Sequence, residues 1–400
     1  MMINESRRSR AHFDYFLTAL VFALAGFGVL CVTVATFSTD SAVEDTFLNY
    51  IVNSYYGMRQ AIFFLVSPVV IGVITFFPYE FIRRRSSLFY YFACFLLLVA
   101  LAGEAAGVKA WIEIIWGYTL QPSEFIKLAC IVVTAKHLET TDDPLSTWNS
   151  ALRVGILIGV PCLLTLAQGE MGSVLVIIFV LACNLFFGGI RLRIMGGILV
   201  AGVVGIAILY GATVASGTEN YRIIRILSFV DSSLVDANAT YQVDNAKIAI
   251  GSGGMNGVGM FVPGTYTQLS YVPENWTDFI FSAVGETFGF VGCLLLLLTY
   301  LAVILRMLYL ARYTVDRFGQ ACIIGVMSML FFHVFENIGM NAGLAPVAGI
   351  PLPFISYGGS NLITNMVGIG LVLNITRNRS VSGGGARLTP QTSVRAKYLR

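Results

Sequence analysis

The chain has 400 residues, of which 56% are hydrophobic and only 12% charged, with a mean hydropathy of +0.78. A charged fraction near half that of an ordinary soluble domain excludes a soluble fold. The net charge is only +3, so nothing points to a nucleic-acid partner, and what matters is where along the chain the charges lie.

The first apolar run starts near Tyr15. It is longer than a signal-peptide core and no small-residue cleavage site follows it, so it reads as a retained helix. At roughly 20 residues per span, the apolar runs predict helices near 15–37, 59–77, 87–103, 122–138, 151–167, 172–188, 192–214, 278–305, 318–339 and 358–376. The expected fold is therefore an all-α polytopic membrane domain of about ten transmembrane helices over residues 1–376. A cytoplasmic tail, residues 377–400, should follow it; this tail is basic, rich in Gly, Ser and Thr, and without apolar periodicity, the composition of a disordered segment.

The connections carry basic residues in alternation. Arg7, Arg8 and Arg10, then Arg83 to Arg85, Lys136 and Arg153, Arg191 and Arg193, Arg306, Arg312 and Arg317, and the tail from Arg377 together hold 19 of the 25 Lys and Arg. Arg59, Lys109, Lys127, Arg222, Arg225 and Lys247 fall on the opposite side or at helix ends there. The positive-inside rule then puts both termini in the cytoplasm. Two outer connections are long: 38–58, which is acidic, and 215–277 between helices 7 and 8, which is polar and Gly-rich, and a loop of that length is usually functional. No internal repeat is found, which counts weakly against an inverted-repeat transporter. The seven cysteines all lie in apolar stretches, with no CxxC spacing and no histidine at zinc-ligand distance, and read as packing residues.

Ionisable residues inside spans are costly and are candidate functional sites. In the fourth span, Pro122 stands in the first helical turn, and Glu124 and Lys127, three apart, share a face. A structural salt bridge explains that pair as well as a functional role does. The eighth span opens with Pro273-Glu274-Asn275-Trp276-Thr277-Asp278, which sets a carboxylate at the lip of an apolar helix. Asp278 is either an N-cap or a general base, and Glu274 could share either role. In the long loop, Arg222, Arg225 and Lys247 supply cations, and the glycine run 251–259 supplies backbone amides suited to phosphate oxygens. The run lacks a P-loop ending, and a flexible turn is the plainer reading. The uncharged segment Gly349 to Ser360, with Pro351, Pro353, Ser356 and Tyr357, reads as re-entrant. In the ninth span His333, Glu336 and Asn337 fall on one face, for helix-to-helix hydrogen bonding or a proton relay.

Read together, QPSEFIKL at 121–128, YQVDNAKIAIGSGGMNGVG at 241–259, PENWTDFIF at 273–281 and NIGMNAGLAPVAGIPLPFISYGGSN at 337–361 resemble the SEDS family of shape, elongation, division and sporulation proteins, more its RodA branch than its FtsW branch. The resemblance implies ten spans, both termini cytoplasmic, residence in the bacterial inner membrane and an extracytoplasmic active site. It implies a peptidoglycan glycosyltransferase that polymerises lipid II during elongation beside a class B penicillin-binding transpeptidase and other elongation-machinery membrane proteins. Carried over by motif, Asp278, Glu124 and Lys127 are the catalytic residues, with Asp278 as general base and the pair positioning it. Trp111, Lys109, Arg222, Arg225, Lys247, Glu274, Ser356 and Tyr357 are the substrate-binding set. No cofactor is required by any motif, although a divalent cation, Mg or Mn, could serve the leaving pyrophosphate. Departures from the family pattern stand at Trp276 (usually His), Thr287 (usually acidic), Gln168-Gly-Glu170-Met-Gly172 (usually QPDLG) and Ala110 (commonly Arg). A lipid II flippase, a non-catalytic scaffold for a transpeptidase and an FtsW-like division polymerase are the alternative readings.

Overall fold

Asp14 starts the first span: its carboxylate accepts the Leu17 N–H at 2.9 Å, which caps α1 (Tyr15–Ala35). The computed structural model describes residues 13–37, 47–103, 110–114, 117–140, 148–190, 196–197 and 237–378. After α1 come the short α2 (Phe47–Asn53), α3 (Tyr55–Phe76), the short α4 (Tyr79–Arg84) and α5 (Ser86–Ala102). A two-stranded hairpin, β1 (Ile112–Glu113) and β2 (Thr119–Leu120), leads into α6 (Pro122–Thr140), with Ile112 opposite Leu120. The remaining helices are α7 (Trp148–Ala167), α8 (Met171–Phe187), α9 (Ala237–Ser252), α10 (Ile280–Arg312), α11 (Arg317–Asn341) and α12 (Gly359–Arg377).

Nine of these helices coincide with nine of the expected spans, and of the expected seventh, 192–214, only 196–197 are among the described residues. By length and composition α1, α3, α7, α10 and α11 are apolar enough to cross a membrane, and α5 and α8 are shorter apolar helices. α6 and α12 are not among them, and their environment explains why. α6 buries Glu124 and Lys127, and α12 buries Asn361, Thr364, Asn365 and Asn374. Both helices face protein, where polar side chains find partners, whereas α3, α7 and α10 turn most of their apolar surface outward.

The bundle is organised on α11, which packs on α10, α6, α8 and α12. α12 also packs along α3, and α1 packs on α3 and α10. At the basic end, Arg306 of α10 bonds the Asp14 carboxylate at 2.8 Å, so that one side chain caps α1 and ties it to α10. Arg83 and Lys136 converge there on Glu139.

Two segments differ from their sequence reading. Part of the long loop is helical: α9 covers 237–252 and packs on α10. The glycine run after it is not a set of free amides. α10 is interrupted at Gly289, where φ is 63°, and the run is stitched into the break. Val258 and Gly259 N–H donate to the Glu286 and Thr287 carbonyls at 2.9 and 3.1 Å, and Phe290 and Val291 N–H donate to the Gly254 and Met255 carbonyls at 2.9 and 3.1 Å. The approach requires glycine, since a Cβ on Gly257 would lie 2.1 Å from the Thr287 oxygen. The loop thus satisfies backbone groups that a broken membrane helix leaves open.

Candidate active site

The site is built where the turn 274–279 meets α11 and the re-entrant segment. Glu274 has φ 59°, and its carbonyl accepts the N–H groups of Thr277 and Phe279 at 3.1 Å each, which folds the chain back before α10 begins. The cap residue of α10 is Phe279, without a side-chain cap bond. Asp278 is therefore not the N-cap. Its backbone is instead gripped by α11: the Asn337 and Asn341 amides donate to the Asp278 carbonyl at 2.7 and 3.1 Å. Asp278 is partly exposed while Phe279 and Ile280 behind it are buried, and it lies within electrostatic reach of Glu336.

The re-entrant segment locks against the same turn. The Ser356 hydroxyl donates to the Thr277 carbonyl at 2.6 Å and accepts the Leu352 N–H at 2.7 Å, and the Tyr357 N–H donates to the Trp276 carbonyl at 2.8 Å. Its own carbonyls are satisfied at depth by side chains. Asn337 takes Ile350 at 2.8 Å, Gln60 takes Ser356 at 3.2 Å, and the Tyr300 hydroxyl takes Pro353. α1 comes close enough that a Cβ on Gly28 would sit 2.1 Å from the Phe354 oxygen.

Beneath the turn runs a buried polar chain. The Lys127 ammonium donates to Glu124 at 2.7 Å and lies 3.0 Å from His333 Nε2. His333 Nδ1 sits 2.7 Å from the Met329 carbonyl, so Nδ1 carries the proton and Nε2 accepts from the ammonium. Lys127, Glu124 and His333 are all essentially without solvent contact. Glu336 is one turn further along α11, and its carboxylate is buried with the Ala348 backbone as its nearest donor among the described residues. Toward the outer end of α6, Glu170 accepts from the Gln121 amide at 2.6 Å and from Ser173 at 3.2 Å. Burial pushes the Glu170 carboxyl up, opposed by hydrogen bonds from Ser123 and Gln121.

The other sequence-derived candidates occupy distinct places. Ser356 is 1% exposed with its hydroxyl bonded on both sides, so it straps the segment to the turn. Glu274 is exposed and its carboxylate accepts from Thr277 at 2.9 Å. Lys247 lies on α9 and pairs with Asp244 at 3.3 Å. Trp111 is partly buried at the start of the hairpin, which is tied to α12 by the Gln121 N–H to Ser360 at 3.1 Å. Lys109, Arg222 and Arg225 lie outside the described residues.

Two features escape a reading of the sequence. Glu286 accepts Tyr266 N–H at 2.7 Å, Thr267 N–H at 2.8 Å and the Thr267 hydroxyl, and so anchors the loop between α9 and α10 from within α10. Trp276 stacks on Tyr56 at 5.3 Å, Tyr357 meets Tyr56 edge-on at 4.9 Å, and Arg59 lies between the rings of Tyr55 and Tyr118 at 4.2 and 4.7 Å. Burial holds the Tyr357 phenol above its usual range, and Arg59 opposes that shift. Among the described residues, no three His, Cys, Asp or Glu side chains are grouped to hold a metal ion.

A family model described as cell cycle protein, covering FtsW, RodA and SpoVE, matches residues 15–381. The chain belongs to this family. Among its FtsW/RodA/SpoVE relatives, the peptidoglycan glycosyltransferase MrdB of Escherichia coli K12 is 36% identical over 295 residues, 73% of this chain and 78% of that protein. The fold matches a chain solved in a peptidoglycan synthase complex that coordinates polymerization and crosslinking, with a TM-score of 0.72 at 26% identity, covering 92% of this chain and 98% of that one. It also matches the rod shape determining protein RodA of Thermus thermophilus, with a TM-score of 0.65 at 25% identity over 92% of this chain and 97% of that one. These likenesses agree with the polytopic helical fold expected from hydropathy.

Proposed function

We propose that this chain is a peptidoglycan glycosyltransferase of the elongation type, polymerising a lipid-linked disaccharide, lipid II, with Asp278 as general base. One observation carries the assignment of the base. A partly exposed carboxylate stands on a turn whose carbonyl is clamped by two asparagines of the central helix and whose neighbours are strapped to the re-entrant segment. Such anchoring is what a group needs to meet a reacting hydroxyl in a fixed pose.

In this reading Asp278 takes the proton of the acceptor sugar's 4-hydroxyl. The oxygen attacks the donor's anomeric carbon, the bond to the lipid pyrophosphate breaks, and the configuration inverts. The Glu124–Lys127 pair acts through α11, since Lys127 bonds His333 on the helix that holds the Asp278 carbonyl. In this reading Trp111 and Tyr357 contact the substrate, and Lys109, Arg222, Arg225 and Lys247 are the cations that would serve its pyrophosphate. A divalent cation at the pyrophosphate would be held chiefly by substrate oxygens, since no three His, Cys, Asp or Glu side chains are grouped for one among the described residues, and no step here is routed through it. The alternation of basic connections supports both termini in the cytoplasm and a site facing outward from the inner membrane. A class B penicillin-binding transpeptidase is the proposed partner, in line with the synthase complex whose member shares this fold.

The test is incubation of the purified full chain with lipid II in detergent, with and without such a transpeptidase. Glycan strands should form from substrate needing no transport, and Asp278→Ala should abolish them. Full polymerisation by Asp278→Ala would remove the base assignment, and no polymer from wild type with its partner would remove the enzyme reading.

A further inference from the structure

We infer that Arg59 grips a phosphate group of the isoprenoid-linked substrate on the outer face, as a subsite beside the Asp278 turn; this rests on the glycosyltransferase reading above. Three separate elements converge on this one side chain. Tyr55 comes from α3, Tyr118 from the hairpin before β2, and Tyr357 from the re-entrant segment. The guanidinium is stacked between the first two rings, and its contact with the Gly117 carbonyl is long, at 3.4 Å.

Stacking uses the faces of a guanidinium, and of its five in-plane N–H groups one is spent on the Gly117 carbonyl and one faces the Tyr357 hydroxyl, which leaves the others available. That fork matches two oxygens of one phosphate, whereas an ammonium acts as a point charge. No carboxylate pairs with Arg59 among the described residues, whereas Arg83, Lys127, Lys136, Lys247 and Arg306 each have one. Arg59 also stands about one turn inside the N-terminus of α3, where the helix dipole is positive and disfavours a cation. An unneutralised cation at a positive helix end, immobilised by aromatic rings, is arranged for an anion.

The cage adjoins the chemistry. Tyr357, whose phenol faces Arg59, donates its backbone N–H to the Trp276 carbonyl, two residues before Asp278. Of the outer cations considered from sequence, Lys247 is already paired with Asp244. Arg59 is thus the described cation best disposed to receive the charge that develops on a leaving pyrophosphate. A membrane-interface arginine could instead meet ordinary lipid headgroups, which carry the same phosphate chemistry.

Binding to the full-length chain in detergent separates these sources, with farnesyl pyrophosphate, farnesol and phosphatidylglycerol as probes in native mass spectrometry. The expected result is that Arg59→Gln weakens farnesyl pyrophosphate binding about tenfold or more, the loss of one charge-assisted bidentate contact. Farnesol and phosphatidylglycerol should be unaffected, and Arg59→Lys should fall between wild type and Arg59→Gln. Arg312→Gln, which removes a cation in the last turn of α10, outside the cage, should bind as wild type does and controls for the loss of one positive charge. Unchanged pyrophosphate affinity in Arg59→Gln would overturn the inference, as would an equal loss for phosphatidylglycerol. Arg59-dependent pyrophosphate binding in a wild type that makes no glycan would leave this subsite standing and remove the polymerase reading.

Discussion

Lys127 of α6 meets His333 of α11 at 3.0 Å in a place where neither side chain touches solvent. The same ammonium holds Glu124 at 2.7 Å, and the histidine is fixed in one tautomer by the Met329 carbonyl. An ion pair sunk this far gives little net stability as a unit, but loss of one partner strands a charge.

Lys127→Met should therefore cost about 3–5 kcal/mol, and adding Glu124→Gln should recover much of that loss. Thermal unfolding of the three variants in one detergent, closed as a double-mutant cycle, measures the coupling. An additive double variant would show that the two residues do not act as a pair.

Asn337 joins the Asp278 carbonyl to the Ile350 carbonyl, at 2.7 and 2.8 Å. Asn337→Ala removes both bonds and should destabilise the chain by about 2 kcal/mol. Its larger effect should be on turnover: polymerisation falls through kcat with KM for lipid II little changed, because the carboxylate loses its pose while the groove remains. Steady-state kinetics distinguish this from a loss of binding.

The stitch in α10 predicts a contrast between two glycines. Gly257→Ala drives a methyl to 2.1 Å from the Thr287 oxygen at φ 80°, whereas Gly254, at φ 53°, has open space around its Cβ position. Gly254→Ala should cost about 1–2 kcal/mol from backbone strain alone. Gly257→Ala should cost clearly more and should expose the 253–279 segment to protease. Melting temperatures and limited digestion of the two variants read this directly.

Asp14 combines a helix cap with an ion pair to Arg306. Asp14→Asn keeps the cap oxygen and loses the charge, so it should be the milder change. Asp14→Ala loses both, and the missing cap adds about 1 kcal/mol. A thermal melt of each variant should rank them wild type, Asn, Ala.

Much of the fold is legible in the sequence because a membrane span is a local property, set by hydrophobic length and by the Lys and Arg at its ends. The Glu124–Lys127 pair was visible for the same reason, as charge inside an apolar run. What could not be read is long-range. Nothing in the text Gly251 to Gly259 says that its amides will be taken by Glu286 and Thr287, some thirty residues on. Asp at a helix entry looks like a cap, and only the placement of Phe279 and Asn337 shows otherwise. In the sequence Arg59 counts only as one of six Lys and Arg off the basic side, because its significance depends on Tyr118 and Tyr357, which the fold alone brings to it.

The break at Gly289 also bears on how the protein is made. α10 is the most apolar of the long helices, and as an isolated segment it could bond the Phe290 and Val291 N–H groups to the Glu286 and Thr287 carbonyls four residues earlier, whereas in the fold residues 254–259 take all four groups. Those partners lie earlier in the chain, so they emerge from the ribosome before α10 does. Docking of the loop is then the event that opens the helix at Gly289, and a chain that fails to deliver residues 254–259 keeps its most hydrophobic segment unbroken.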